Sequence, residues 1–274
     1  MNVTIYAGPA GDRNERGMRG ASVLGARVAS ALGVGAHVVA SPVPIVEGGW
    51  REQLRRASAS LRLLAQRLAE RLKAGDRTVV TMGRCAAGLA TLPPIVRRFP
   101  DAAIVWLDAH GDCNVPTGDQ TSEARYLGGM VLSGAAGEWE TGLGAGLDLA
   151  NVILVGARDL DPPERARVDC GRLELVPVGP DLGRRLRRAV GGRRVYIHLD
   201  CDVMSAGLLA TEYQSPDGLS FDDLREAFSA LAECDVVGLE IAEYEDCWPD
   251  GRANPPEALL SAIRPAIESL KTSR

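Results

Sequence analysis

The segment Trp106 to Asn114 reads WLDAHGDCN and follows the apolar run AIV, so that Asp108, His110 and Asp112 stand two residues apart. The chain has only three histidines, which makes one flanked by two aspartates informative. A second acidic pair, Asp200 and Asp202, ends YIHLDCD; Cys85 lies in TMGRCAAG, and Glu243 in GLEIAEYE. Side chains alternate along an extended strand, so Asp108, His110 and Asp112 are expected on one side, as are Asp200 and Asp202, with Cys113 and Cys201 packed opposite. Four aspartates at the rim of an apolar sheet repel one another unless something positive sits among them. Carboxylates joined by one or two nitrogen or sulfur donors suit Mn²⁺, Fe²⁺, Co²⁺ or Zn²⁺, and bridging carboxylates suggest two ions that together activate water. A lone DxD also serves in turns and helix caps; its occurrence together with DAHGD favours metal.

These residues need a frame that brings several strand ends together. Eight runs rich in Val, Ile and Leu, bounded by Gly, Pro and Asp, read as strands buried on both faces: NVTIYAG, HVVASP, RTVVTMG, AIVWLDAH, NVILVGARD, RLELVPV, RVYIHLDCD and DVVGLEIAEY. Helical patterns lie between most of them. The clearest is the segment from Trp50 to Asp76, where Leu54, Leu61, Leu64, Leu68 and Leu72 share a face and Gly75 is a stop. Strand alternating with helix predicts a mostly parallel α/β sheet wrapped by helices. Two polar, Gly-rich stretches, 112–146 and 204–218, directly follow the aspartate-bearing strands, where open parallel sheets bind ligands.

Composition narrows the classes. A chain of 274 residues that is 46% hydrophobic can bury one substantial core, and residues 1–274 are read as one domain. A net charge of −5 argues against nucleic acid, since the basic run 184–188 falls in a helical pattern. No apolar run approaches about 18 residues and the first residues lack a basic-then-apolar leader, so no membrane association and a cytoplasmic location are expected. The six cysteines form no CxxC pair, which fits reduced thiols. AGPAGDRNERG after the first strand lacks the GxGxxG spacing of a dinucleotide-binding turn. The expected partner is a small molecule; the oligomeric state stays open.

WLDAHGDCNVP, HLDCDV and LEIAEY resemble, in order and across nearly the whole chain, the motifs of the ureohydrolase family of arginases and agmatinases, which hydrolyse guanidino groups at a dinuclear manganese centre. The resemblance implies a three-layer arginase-like α/β fold around an eight-stranded sheet and two divalent ions, Mn²⁺ foremost. It implies that Asp108 and Asp200 bridge the ions, that Cys85 and Asp112 complete one side, and that His110 and Asp202 complete the other. Asp112 and Glu243 are implied as catalytic, and Glu243 as the carboxylate facing the substrate's guanidine group, a fork that suits a carboxylate. GARDLDPPE is similar to an arginase segment whose acids hold an α-amino group, which assigns Asp161 and Glu164; the same residues also read as an ordinary helix start. Asn114 and Ser122 match contacts to the α-carboxylate.

Two departures separate this chain from arginases. Cys85 stands where their first motif has a metal-binding histidine; a thiolate is a softer donor, suited to Zn²⁺ or Fe²⁺, and Cys85 also reads as a small buried hydrophobe beside one ion. YLGGMVL places Leu127 or Gly128 where arginases carry a histidine thought to shuttle protons. Both changes resemble the branch of the family that hydrolyses N-omega-hydroxy-L-arginine to L-ornithine and hydroxyurea in D-cycloserine biosynthesis, where the hydroxyl lowers the guanidine's basicity and relaxes the need for a shuttle. His198, two residues before Asp200, reads equally as a replacement shuttle, a support for a ligand, or a structural histidine. Hydrolysis of L-arginine or another guanidino acid, and a metal-impaired ligand-binding protein, are the competing readings.

Overall fold

The structure is a computed structural model that describes residues 1, 3–116 and 126–272. The strands β1 (Val3–Tyr6), β2 (Ala36–Ala40), β3 (Thr78–Met82), β4 (Ala103–Leu107), β5 (Val152–Val155), β6 (Glu174–Val176), β7 (Val195–Asp200) and β8 (Val236–Ala242) form one sheet in the order β2-β1-β3-β8-β7-β4-β5-β6. Every pairing is parallel, where the sequence predicted a mostly parallel sheet. All eight apolar runs are strands.

Alternation along the strands divides the core into two layers. Val195, Ile197 and Leu199 of β7 pack with α1 (Glu15–Leu32), α6 (Leu182–Val190), α7 (Phe221–Ala232) and α8 (Glu257–Thr272). Tyr196 and the neighbouring Trp106 of β4 face the layer of α2 (Trp50–Lys73), α3 (Gly88–Arg98) and α4 (Val131–Ala136). The five leucines that mark α2 in the sequence are its buried stripe; each is worth about 1.5–3 kcal/mol of transfer free energy. A short helix, α5 (Pro162–Asp169), starts at DPPE. The sequence gives no sign of α4, because its six residues, VLSGAA, are too few and too small to display a period; Gly137 closes it in the left-handed conformation.

The close seating of α1 matters for the site. A Cβ at Gly20 would stand 1.9 Å from the carbonyl oxygen of Tyr244, so the helix backbone lies directly on the turn that follows β8. That turn carries Glu243 and Glu245. The four central neighbours β3, β8, β7 and β4 thus end side by side; β7 ends on Asp200 itself, and the chain beyond the carboxyl ends supplies Arg84 and Cys85, Glu243, Asp202, and Asp108 to Asp112.

Candidate metal centre and substrate cavity

The acids converge, but not by strand alternation. β4 stops at Leu107, before Asp108, and Asp202 lies in a short 3-10 turn, Cys201–Val203. Convergence comes instead from tight turns. Asp108 Oδ1 accepts from the backbone N–H of His110 at 2.7 Å, and Asp200 Oδ1 from that of Asp202 at 2.7 Å. Asp112 adopts φ 47°, a left-handed conformation that costs a non-glycine residue about 1–3 kcal/mol and gathers at functional sites. The flanking cysteines are both buried, but in different core layers: Cys201 packs in one, and Cys113 in the other, which also holds Cys85.

Ligand-type atoms fall into compact groups. Asp108, His110 and Asp202 form one, with His110 Nδ1 3.2 Å from Asp108 and 3.1 Å from Asp202. Cys85, Asp200 and Glu243 form a second, and Cys85, Asp108 and His198 a third. Burial pushes Asp200 well above the carboxylate range, with Asp202 and Asp108 adding to it; burial and then Asp108 do the same to Asp112. Burial and Asp108 also raise Asp202. His110 moves upward although burial opposes it, because Asp108 and Asp202 both hold its imidazolium. Burial, followed by Asp200 and Asp112, raises the Cys85 thiol well above its usual value, and Sγ donates to Asp200 Oδ2 at 2.9 Å.

A polar network lies under Cys85. The register aligns Trp106 with His198 and His198 with Glu240 on three neighbouring strands, all on one sheet face. His198 stacks on Trp106 at a centroid separation of 3.4 Å and an interplanar angle of 4°. Hydroxyls of Tyr196 and Thr91 donate to Glu240 Oε2 at 2.7 and 2.6 Å. Glu240 Oε1 accepts from His198 Nδ1 at 2.6 Å, which turns Nε2 toward Cys85 Sγ, 3.0 Å away. Trp106 Nε1 donates to Asp108 Oδ2 at 2.9 Å. His198 is fully buried and does not line the substrate cavity. Glu240, in the middle of the apolar GLEIA, was the available sequence signal for this network.

Glu243 also has left-handed backbone, φ 61°. Its Oε1 accepts from the N–H of Cys85 at 3.2 Å and from the Tyr126 hydroxyl at 3.4 Å; Oε2 accepts from Arg84 Nη1 at 2.6 Å. Burial raises this carboxyl to about 8 against the opposing pull of Arg84.

These groups open into a cavity of about 480 Å³ lined by Cys85, His110, Asp112, Asp200, Asp202 and Glu243. Asn114, Asp161, Glu164, Arg13, Tyr126, Asp159 and Tyr213 line the same cavity. Asn114 Nδ2 donates to Asp161 Oδ2 at 2.6 Å, and Glu164 accepts from the N–H groups of Cys113 and Asp161 at 3.0 and 3.1 Å. Burial lifts Glu164 to about 7. Gly111 is required here, because a Cβ would lie 2.8 Å from Glu164 Cδ. Ser122 lies outside the described residues. Leu127 and Gly128 are buried and offer no titratable group. Arg84, Tyr126 and Tyr213 were not singled out in the sequence, since nothing local marks a buried arginine or a cavity-wall tyrosine.

The donor set fits divalent cations. Asp112 Oδ2 is buried without a hydrogen-bond partner among the described residues, and the charges of Asp108, Glu164 and Asp202 bear on it. A buried, unpaired carboxylate oxygen is costly unless a positive group takes it.

Comparisons with known proteins agree with this geometry. The sequence model of the Arginase family matches residues 20–247. The chain is 33% identical over 270 residues to the N(omega)-hydroxy-L-arginine amidinohydrolase of Streptomyces lavendulae, covering 98% of each chain. Its fold superposes on the arginase of Bacillus subtilis with TM-score 0.79 at 18% identity, covering 100% of this chain and 99% of the other. For the Entamoeba histolytica arginase in complex with L-ornithine the TM-score is 0.78 at 19% identity, covering 100% of both. The eight-stranded sheet, the clustered acids beyond its central strands and the match over most of the chain carry one conclusion: this protein belongs to the arginase family of amidine hydrolases.

Proposed function

We propose that the chain hydrolyses the hydroxyguanidino group of N-omega-hydroxy-L-arginine to L-ornithine and hydroxyurea, acting as a single cytoplasmic domain on two divalent ions, Mn²⁺ foremost. The observation that carries the reading is Cys85, packed among the acids, together with buried Leu127 and Gly128, which offer no titratable side chain. The similarity to a relative named for hydroxyarginine hydrolysis supports the substrate. Asp108 and Asp200 would be shared by the ions, with Cys85 and Asp112 on one side and His110 and Asp202 on the other. When bound, the ions would make a water nucleophilic near neutral pH.

The protein's own groups do the rest. Glu243 orients the hydroxyguanidine carbon toward the acids, and Asn114, Asp161 and Glu164 hold the amino-acid end, with Ser122 assigned to the same task. The oxygen of water bonds to the guanidino carbon as the bond from that carbon to the side-chain nitrogen breaks, and that nitrogen leaves as the amine of ornithine. Asp112, which lines the cavity, is suited to take the proton the water gives up and to pass it to the leaving nitrogen. His198 contributes by supporting Cys85 from below.

The test is to feed the manganese-loaded protein L-arginine and N-omega-hydroxy-L-arginine separately and follow ornithine. Preference for the hydroxylated substrate is expected; faster turnover of plain arginine overturns the proposal.

A further inference from the structure

Arg84 is the least expected group in the molecule. Its side chain is completely buried, and it lies behind Glu243 rather than on the cavity wall. Nη1 pairs with Glu243 Oε2 at 2.6 Å, while Nη2 lies 2.7 Å from Glu212 and 2.9 Å from Glu245. Glu245 has a second cation in Arg16 at 2.6 Å, and Glu212 a more distant one in Arg13 at 3.9 Å. Asp12 Oδ1 lies 3.4 Å from Arg84 Nε, so four carboxylates face this one guanidinium; of them Glu243 alone lines the cavity, and Arg84 is its ion-pair partner among the described residues.

The consequence follows from counting acceptor sites. A carboxylate offers about four lone-pair positions, and a substrate guanidinium engages it best through two parallel N–H bonds, one to each oxygen. On Glu243, Arg84 occupies Oε2, and the Cys85 N–H and the Tyr126 hydroxyl both point at Oε1. What remains suits one further donor. A cationic guanidinium would in addition sit opposite a second guanidinium across a single carboxylate; at an effective dielectric near 20, like charges about 6 Å apart weaken binding on the order of a hundredfold, of which the acids Asp12, Glu212 and Glu245 around Arg84 offset a part. An uncharged hydroxyguanidine escapes this repulsion.

We propose that Arg84 is a specificity-determining residue, which keeps Glu243 from pairing with a cationic guanidinium and so selects an uncharged guanidine-type substrate. The inference rests on the hydroxyguanidine reading above and gives that reading a structural cause.

Two measurements test it. In the manganese-loaded wild-type protein, inhibition constants are compared for L-arginine and for L-citrulline, its uncharged planar isostere. Citrulline is expected to bind at least as tightly; arginine binding more than tenfold tighter overturns the proposal. The second compares wild type with the double variant Arg84→Gln, Glu245→Gln, which removes one charge of each sign. The ratio of kcat/KM for hydroxyarginine over arginine should fall at least tenfold, mainly through a lower KM for arginine. A folded variant with a ratio within twofold of wild type rejects the role of Arg84. Where the variant does not fold, the wild-type comparison decides alone. Absence of hydroxyarginine turnover by the wild type, with citrulline still favoured over arginine, would reject the proposed reaction and leave the charge selection standing.

Discussion

At the scale of single residues, the proposed metal centre turns on the thiol of Cys85. Thiolate is a soft donor with strong ligand-to-metal charge transfer, so loading with Co²⁺ should give the wild-type protein a near-ultraviolet sulfur–cobalt absorption that Cys85→His lacks. The same substitution should shift preference from Zn²⁺ toward Mn²⁺. A wild-type spectrum without that band would remove Cys85 from the ligand set. Beneath the sulfur, Glu240 and Trp106 hold His198 in one orientation, with Nε2 3.0 Å from Sγ. Partners that orient a ligand typically govern metal affinity by about 10–100-fold. Glu240→Gln retains the shape and the hydroxyl contacts but weakens the hold on Nδ1. It is expected to lower metal affinity by roughly tenfold, measured by chelator competition, with a change in the cobalt spectrum that a purely structural role would not produce.

At the scale of elements, the site depends on how closely α1 lies against the turn after β8. Gly20→Ala would drive a methyl group into the Tyr244 carbonyl, a backbone atom that cannot rotate away. The expected cost is about 3 kcal/mol, at the upper end for overpacking, seen as a lower urea midpoint, with loss of activity because Glu243 and Glu245 move with the turn. An unchanged midpoint would show that the helix slides freely. This contact was invisible in the sequence, because GMRGASVLG marks α1 as amphipathic without saying which turn its glycine touches. The strands were legible for the opposite reason: parallel strands buried on both faces are written as unbroken Val, Ile and Leu runs. The acids were also legible as a set, yet strand periodicity was the wrong reason for their convergence. Asp108 and Asp202 belong to turns that bend back on their own backbone, and Asp112 lines the cavity from a left-handed φ that no period encodes. Glu240 was passed over although it is an acid within an apolar strand, whereas nothing local marks Arg84, since its four carboxylate partners come from distant parts of the chain.

At the scale of the whole molecule, the concentration of acid in one buried region makes stability a function of pH and metal together. Burial raises Asp12 to about 6, Glu164 to about 7 and Glu243 to about 8 from ordinary values near 4, and Asp112, Asp200 and Asp202 move the same way. A carboxyl whose folded value is raised stays protonated in the native state after the unfolded chain has released its proton. Below about pH 4 both states hold the proton and no penalty exists; as pH climbs through the folded values the penalty grows to its full size. His110, also raised, contributes stability that is fully present below about 6.5 and is lost as pH rises toward its folded value. Both effects have the same sign, so the metal-free protein should melt at a lower temperature near pH 8 than near pH 5. Divalent cations bind the deprotonated acids and reverse the trend, because a ligand bound only by the native state stabilises it in proportion to the logarithm of its concentration over Kd. At Mn²⁺ about a hundredfold above Kd for two sites, the melting temperature near pH 8 should rise on the order of 10 °C, and the gain should shrink as pH falls toward 5. Calorimetric scans with and without metal at the two pH values check this. A metal-free protein that becomes more stable toward pH 8, or is indifferent to Mn²⁺ there, would mean that the buried acids are balanced from within the chain and that the cluster is not a cation site.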